Sequence, residues 1–308
     1  MPEPTEAKAL ILSHRSVLRV SGPDRVAFLQ GLVSNDIESV SPARAVWSAF
    51  LTPQGKFLHE FFVTPDPSGA QSDHEEALLI DCETERRADL QRRLKLYKLR
   101  SQVELEDAHD RYRVAVLFGA DTLELLKLGD TAGASAAFAG GQAFVDPRLP
   151  ELGARAILPS ENAEASLRDA GFQPASLTDY DHLRSSLGVP DGSRDLEVDK
   201  SILLENGFDE LHGVDWDKGC YMGQELTART KYRALIKKRL MPVEISGPVP
   251  DPGTPLLRAG KEVGIMRSSV ETRGLATIRL DAIKASDPLE MEAGTAKITA
   301  RKPQWMQA

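Results

Sequence analysis

The stretch Lys218-Gly219-Cys220-Tyr221-Met222-Gly223-Gln224-Glu225 carries more chemistry than any other in the chain. Cys220 stands between Gly219 and Tyr221, with Lys218 two residues before it and Gly223 three after. Glycines let a backbone approach a ligand closely. A nearby ammonium lowers the pKa of a thiol, and the thiolate is the nucleophile and metal ligand. A helix beginning at Gly223-Gln224-Glu225 would add its N-terminal dipole. Free cysteines are also among the most buried residues, so the residues leave open an inert, packed thiol.

Around this stretch, residues 191–230 are polar with weak periodicity. Irregular chain of that length inside a compact protein is a mark of function or disorder. Beyond Lys237 the texture changes. Residues 239–245, 262–266, 275–280 and 296–299 read as short strands separated by turns, a small all-β unit. Upstream, Tyr180, Leu183 and Leu187 form one stripe of a helix that starts at Thr178 and stops at Gly188 before Pro190. A further helix is read over 160–171, and a strand region over 144–158 with Asp146-Pro147-Arg148-Leu149-Pro150 as its turn.

The N-terminal half mixes both types of element. Residues 9–20 read as a strand or two. Ser21-Gly22-Pro23-Asp24 starts a helix that Ser34-Asn35-Asp36 ends. Residues 46–63 read as a hairpin, with Thr52-Pro53-Gln54-Gly55-Lys56 as its turn because Pro presets φ and Gly tolerates φ > 0. A polar loop over 65–76, a strand over 77–80, a helix over 84–99, strands over 103–105 and 112–118 and a helix over 121–129 follow. Residues 132–141 read as a small-residue link. Together, residues 46–140 make an α+β unit.

Composition bounds the function. The 308 residues are 41% hydrophobic and 27% charged, as in ordinary globular proteins. No run of about 18 apolar residues marks a membrane span. The acidic start, Met1 to Glu6, lacks the features of a leader, which gives a cytoplasmic expectation. The net charge of -8 argues against a general nucleic-acid binder, although 86–100 and 231–239 are locally basic. The two cysteines, Cys82 and Cys220, form no CxxC, and the six histidines show no metal-binding spacing. Two thiols cannot supply the four ligands of an iron–sulfur cluster, so no stable metal is expected.

The run Lys218 to Glu225 resembles the K-G-C-[FY]-x-G-Q-E motif of the YgfZ-type folate-binding proteins, within the glycine-cleavage T-protein superfamily. Gly22-Pro23-Asp24-Arg25, Phe28 to Leu32, Ser34-Asn35-Asp36, Leu51 to Lys56, Asp146 to Pro150, Leu183-Arg184 and Gly188-Val189-Pro190 agree in order. The continuation Gln224 to Thr230 is similar to the branch that includes the mitochondrial iron–sulfur assembly factor. The resemblance spans residues 10–240, with a looser match beyond.

The resemblance implies an α+β, three-domain ring with a central folate channel and a small C-terminal β-barrel. Residues 1–45 and 141–236 would form the first domain, 46–140 an inserted ferredoxin-like domain and 237–308 the barrel. It implies a tetrahydrofolate-binding accessory factor in assembly or repair of iron–sulfur proteins. Its partners would be iron–sulfur client or scaffold proteins and folate, with no nucleic acid and no membrane. Cys220 would be the functional thiol and a transient cluster ligand, helped by Lys218. Glu205, in Leu203-Leu204-Glu205-Asn206-Gly207, falls where the T-protein sets a glutamate against the pterin, since a carboxylate accepts two parallel bonds from an N–H edge. Gln224, Arg229 and Lys231 would complete the folate site, the two cations facing the glutamyl tail. The aspartate of the aminomethyltransferase falls on Ala88, with Asp89 one residue away, about 100° around a helix. This points to an accessory factor; a folate-dependent one-carbon transferase, a thiol redox enzyme and a module docking partners through the basic helix 84–100 are the alternatives.

Overall fold

The structure is a computed structural model that describes residues 7–69, 76–233, 236–286 and 288–306. The acidic start at 1–6, His74 and residues 70–75 of the expected polar loop lie outside the described residues. Contacts divide the chain into two compact units. The first comprises residues 1–50, 59–177 and 212–222, the second residues 51–58, 178–211 and 223–308.

Two sheets make up the first unit. One orders its strands Val46–Leu51, Phe57–Pro65, Ala77–Glu83, Arg15–Ser21, Glu104–Asp107. The other runs Gln173–Pro174, Lys8–Ile11, Tyr112–Phe118, Ala154–Pro159, Gly141–Val145, Ser135–Phe138. Residues 1–45 thus give a strand to each, and both sheets are built across the expected cut at 45/46. Strand partners more than sixty residues apart, such as Arg15 opposite Glu83, leave no trace in local periodicity. The hairpin and its turn form as read, because Thr52 N–H donates to Lys56 O at 2.9 Å. The expected small-residue link instead contains the strand Ser135–Phe138.

Most strands of these sheets are buried along nearly their whole length, and charges are buried with the apolar side chains. Arg15, Glu60, Asp81, Arg148 and Arg155 are all within 3% of full burial. Asp81 Oδ1 accepts from Arg15 Nε at 2.7 Å and Oδ2 from Arg155 Nη2 at 2.6 Å. Buried charges persist only when paired in this way.

In the second unit, residues 238–300 form a closed six-stranded barrel around Met241, Val243, Leu256, Met266, Ile278 and Ile298. Closure removes the exposed strand edges that would otherwise invite further pairing. The helix Leu177–Leu187 is tied to it by Arg184, 1% exposed, whose guanidinium bonds Asp181 at 2.6 Å, Asp195 at 2.7 Å and Ser268 Oγ at 3.2 Å. The α+β class and the C-terminal barrel are therefore as the sequence indicated. No helix among the described residues is long and apolar enough to cross a membrane.

Candidate functional site

The Cys220 loop belongs to the first unit. Residues 212–222 have almost no internal regular structure, so their backbone groups must find partners elsewhere. They find them on the turn that follows the helix Arg25–Gln30. Asp215 N–H donates to Ser34 O at 3.0 Å and Met222 N–H to Gly31 O at 3.3 Å. Asn35 Nδ2 donates to His212 O and Ser34 Oγ to Gly213 O, at 2.7 and 2.6 Å. The Asp215 carboxylate accepts from the N–H groups of Asp217 and Lys218, closing an Asx turn inside the loop.

Lys218 completes the attachment. Its ammonium donates to Val33 O at 2.7 Å and Asn35 O at 2.5 Å, and it stands 5.4 Å from the centre of the Tyr221 ring. Burial lowers its pKa to about 8, against the opposing pull of Asp36, Asp215 and Glu38. The sequence suggested that this cation serves the thiol. The structure gives it a second task, holding the loop down. Between these anchors Gly219 adopts φ 91° and Cys220 is exposed. Cys82 is the contrast: it is buried in the sheet, and burial drives its thiol pKa far above the ordinary value. The inert reading therefore fits Cys82 and not Cys220. His212 is exposed. The described residues contain no group of three or more His, Cys, Asp or Glu able to hold a metal ion.

Glu205 and the motif's helix belong to the second unit. Leu203–Asn206 is a 3-10 turn ended by Gly207 in the left-handed region at φ 76°. Glu205 is 5% exposed. Its carboxylate meets Lys237 N–H at 3.4 Å and Lys238 Nζ at 3.9 Å, both long, so the described residues leave acceptor capacity over. The helix Gln224–Tyr232 packs against this turn and carries Arg229 and Lys231 at exposed positions, with Gln224 half-buried. It starts at Gly223, φ 83°, where a Cβ would lie 2.7 Å from Thr52 O. That approach requires glycine and explains why the motif and the hairpin turn occur together. A carboxylate short of donors beside a helix bearing exposed cations fits the donor edge and anionic tail of a folate.

The position that corresponds to the transferase aspartate is differently occupied. Ala88 is exposed on the helix Arg87–Tyr97, and Asp89 accepts from Arg93, Arg92 and His59. Burial alone would raise its pKa, but these bonds outweigh it and hold it well below the usual carboxylate range. His59 is 2% exposed, and burial, with Arg86 adding to it, lowers its pKa from 6.5 to about 4 against the pull of Asp89. Between those two values the unfolded chain binds a proton that the folded chain refuses, so stability must fall as pH falls through this window. The loss is about 3 kcal/mol by pH 4. Urea denaturation near pH 7 and near pH 4 should show this acid loss in the wild type and about 3 kcal/mol less of it in His59→Gln. Equal acid losses would contradict the assignment.

In the sequence Ser34-Asn35-Asp36 reads as a helix breaker and as one segment of the family's motif order, with no part in the site. Ser34 and Asn35 in fact anchor the thiol loop, and the only available signal was their place in the shared motif order.

Comparison with known proteins agrees with this anatomy. A family model described as "CAF17, C-terminal beta-barrel domain" matches residues 237–308. The human protein named "Iron-sulfur cluster assembly factor IBA57, mitochondrial" is 34% identical over 313 residues, covering 96% of this chain and 84% of that one. A Neurospora crassa homologue with the same designation is 33% identical over 237 residues; the match covers 75% of this chain and 52% of the relative. Among solved structures, the glycine cleavage system aminomethyltransferase T from Bartonella henselae superposes with a TM-score of 0.75 at 13% identity, covering 98% of this chain and 87% of that one. The last likeness is one of fold. The relatives are named mitochondrial, which overturns the cytoplasmic expectation. That expectation rested on the acidic residues Met1 to Glu6. With 34% identity over nearly its whole length, the chain belongs to the iron–sulfur cluster assembly factor IBA57 family.

Proposed function

We propose that this chain acts in iron–sulfur cluster assembly by presenting the Cys220 thiolate to a cluster in transit, the other ligands coming from a client or scaffold protein. The observation that carries this reading is an exposed cysteine on a loop held at both ends by hydrogen bonds to one turn. A cluster needs about four ligands, and this chain's other thiol is buried. The cluster is therefore cargo shared with a partner. The relatives' names support the role. Complementation tests it: cells lacking their own family member should regain activity of a [4Fe–4S] enzyme when this chain is expressed, and failure to regain it would count against the role.

The reading includes tetrahydrofolate as a ligand of the second unit, which the T-protein-like fold and Glu205 support. Bound folate would supply a pterin with N–H donors and an anionic glutamyl tail. Glu205 would accept the two pterin donors, Gln224 would add a polar contact, and Arg229 and Lys231 would balance the tail. An amide in place of the carboxylate keeps one acceptor and loses the charge. Glu205→Gln should therefore weaken tetrahydrofolate binding by about 10- to 100-fold in calorimetric titration. An unchanged Kd would remove Glu205 from the site. The same chain with intact cluster assembly would make folate dispensable to the role.

A further inference from the structure

The helix Arg87–Tyr97 buries Leu90 and Leu94 but ends on apolar residues that the chain leaves in solvent. Leu96 is 64% exposed and Leu99 is 89% exposed. Leu99 occupies the position after the C-cap at φ 42°. That left-handed conformation ends many helices and normally falls to glycine. Of the eight non-glycine residues with positive φ among those described, Leu99 is the only large apolar one. The free chain thus accepts an unfavourable backbone at a residue whose side chain gains no burial, and such outliers gather where a surface is put to use.

The chemistry around Leu99 is directional. Residues 90–103 contain Arg92, Arg93, Lys95, Lys98 and Arg100 and no acid, in a chain of net charge -8. Arg92 and Arg93 are paired with Asp89. Among the described residues, no ion pair engages Lys95, Lys98 or Arg100. Beside them lies an open recess of about 740 Å³ lined by Asp24, Tyr97, Leu99, Arg100 and Ser101. Its shape and chemistry discriminate between partners. The Tyr97 ring packs edge-on against Phe50, 6.1 Å between centroids, and among the described residues no second aromatic ring lines the recess to continue a stack of nucleic-acid bases. An anionic bilayer would be flat and would meet the Asp24 carboxylate in the wall of the recess. A protein segment can place one apolar side chain in the recess and its carboxylates against the unpaired cations, the arrangement of a buried apolar anchor with a charged rim.

We propose that the end of this helix is a docking site for an acidic segment of a partner protein, anchored by an apolar side chain against Leu99 and Tyr97 and oriented by Lys95, Lys98 and Arg100. The site is independent of Cys220 and of folate. The probe is a fluorescein-labelled peptide of about twelve residues alternating Glu with Leu and Phe, titrated by anisotropy into the full chain. Binding should weaken about tenfold in Leu99→Gly and about tenfold in a Lys98→Glu, Arg100→Glu double variant, which should also lose most of the salt dependence. Leu99→Gly should melt at the same temperature or higher, because glycine relieves the left-handed backbone; a merely structural leucine would show the reverse. A Gln-for-Glu version of the peptide should bind weakly. The proposal is overturned if the peptide does not bind, if Leu99→Gly binds it as the wild type does, or if phosphatidylserine vesicles or a single-stranded oligonucleotide bind more tightly than the peptide. A wild-type dimer in sedimentation that Leu99→Gly dissolves would equally overturn it, the occupant then being a second copy of this chain.

Discussion

Asp81→Asn is expected to cost about 3–5 kcal/mol of folding stability, a large share of what a domain possesses. Asp81 is fully buried in the middle of its strand and faces two arginines. Arg15 has further acceptors in Glu60 and in the Asp81 carbonyl, the latter at 2.8 Å. Arg155 bonds the Asp81 carboxylate through both Nε and Nη2, at 3.1 and 2.6 Å, and its guanidinium lies 4.0 Å from the centre of the Phe62 ring. Asparagine keeps the shape and removes the charge, leaving the Arg155 cation buried beside a neutral amide. The aromatic face recovers only part of that, of the order of 1–2 kcal/mol. Adding Arg155→Met should restore some of the loss, since removing both charges is far milder than removing one. Urea denaturation of the two variants measures this directly. A loss below about 1 kcal/mol for the single variant would show that the network relaxes or admits water.

Features set by local chemistry were readable in the sequence. Pro53 and Gly55 marked the hairpin turn, turn-separated apolar runs marked a small all-β unit that only the family resemblance made a barrel, and Gly223-Gln224-Glu225 marked the start of a helix that runs to Tyr232. The strand Ser135–Phe138 was missed because Ser-Ala-Ala-Phe has no β-branched residue, and only its pairing with Gly141–Val145 makes it a strand. The arrangement of both sheets across the expected domain cut was invisible for a similar reason, since pairing partners are distant in sequence. Among the candidate residues, Cys220 and Glu205 stood out as residue types in a motif. The task of Lys218 did not, because its two carbonyl partners lie 185 and 183 residues away.

Loss of the Cys220 thiol is expected to abolish function while sparing the fold. The side chain is exposed, and exposed substitutions of this kind change stability by about 0.5 kcal/mol or less. The loop is held by Lys218, Asn35, Ser34 and Asp215, none of which bonds through the sulfur. Cys220→Ala should therefore keep the loop and remove only the atom proposed to bind a cluster. The decisive measurement is the activity of an aconitase-type [4Fe–4S] enzyme in cells lacking their own family member, complemented with wild type or with Cys220→Ala at matched protein levels. Restoration by the wild type and none by the variant is the predicted result; equal restoration by both would contradict the account and leave the thiol without a role in cluster assembly.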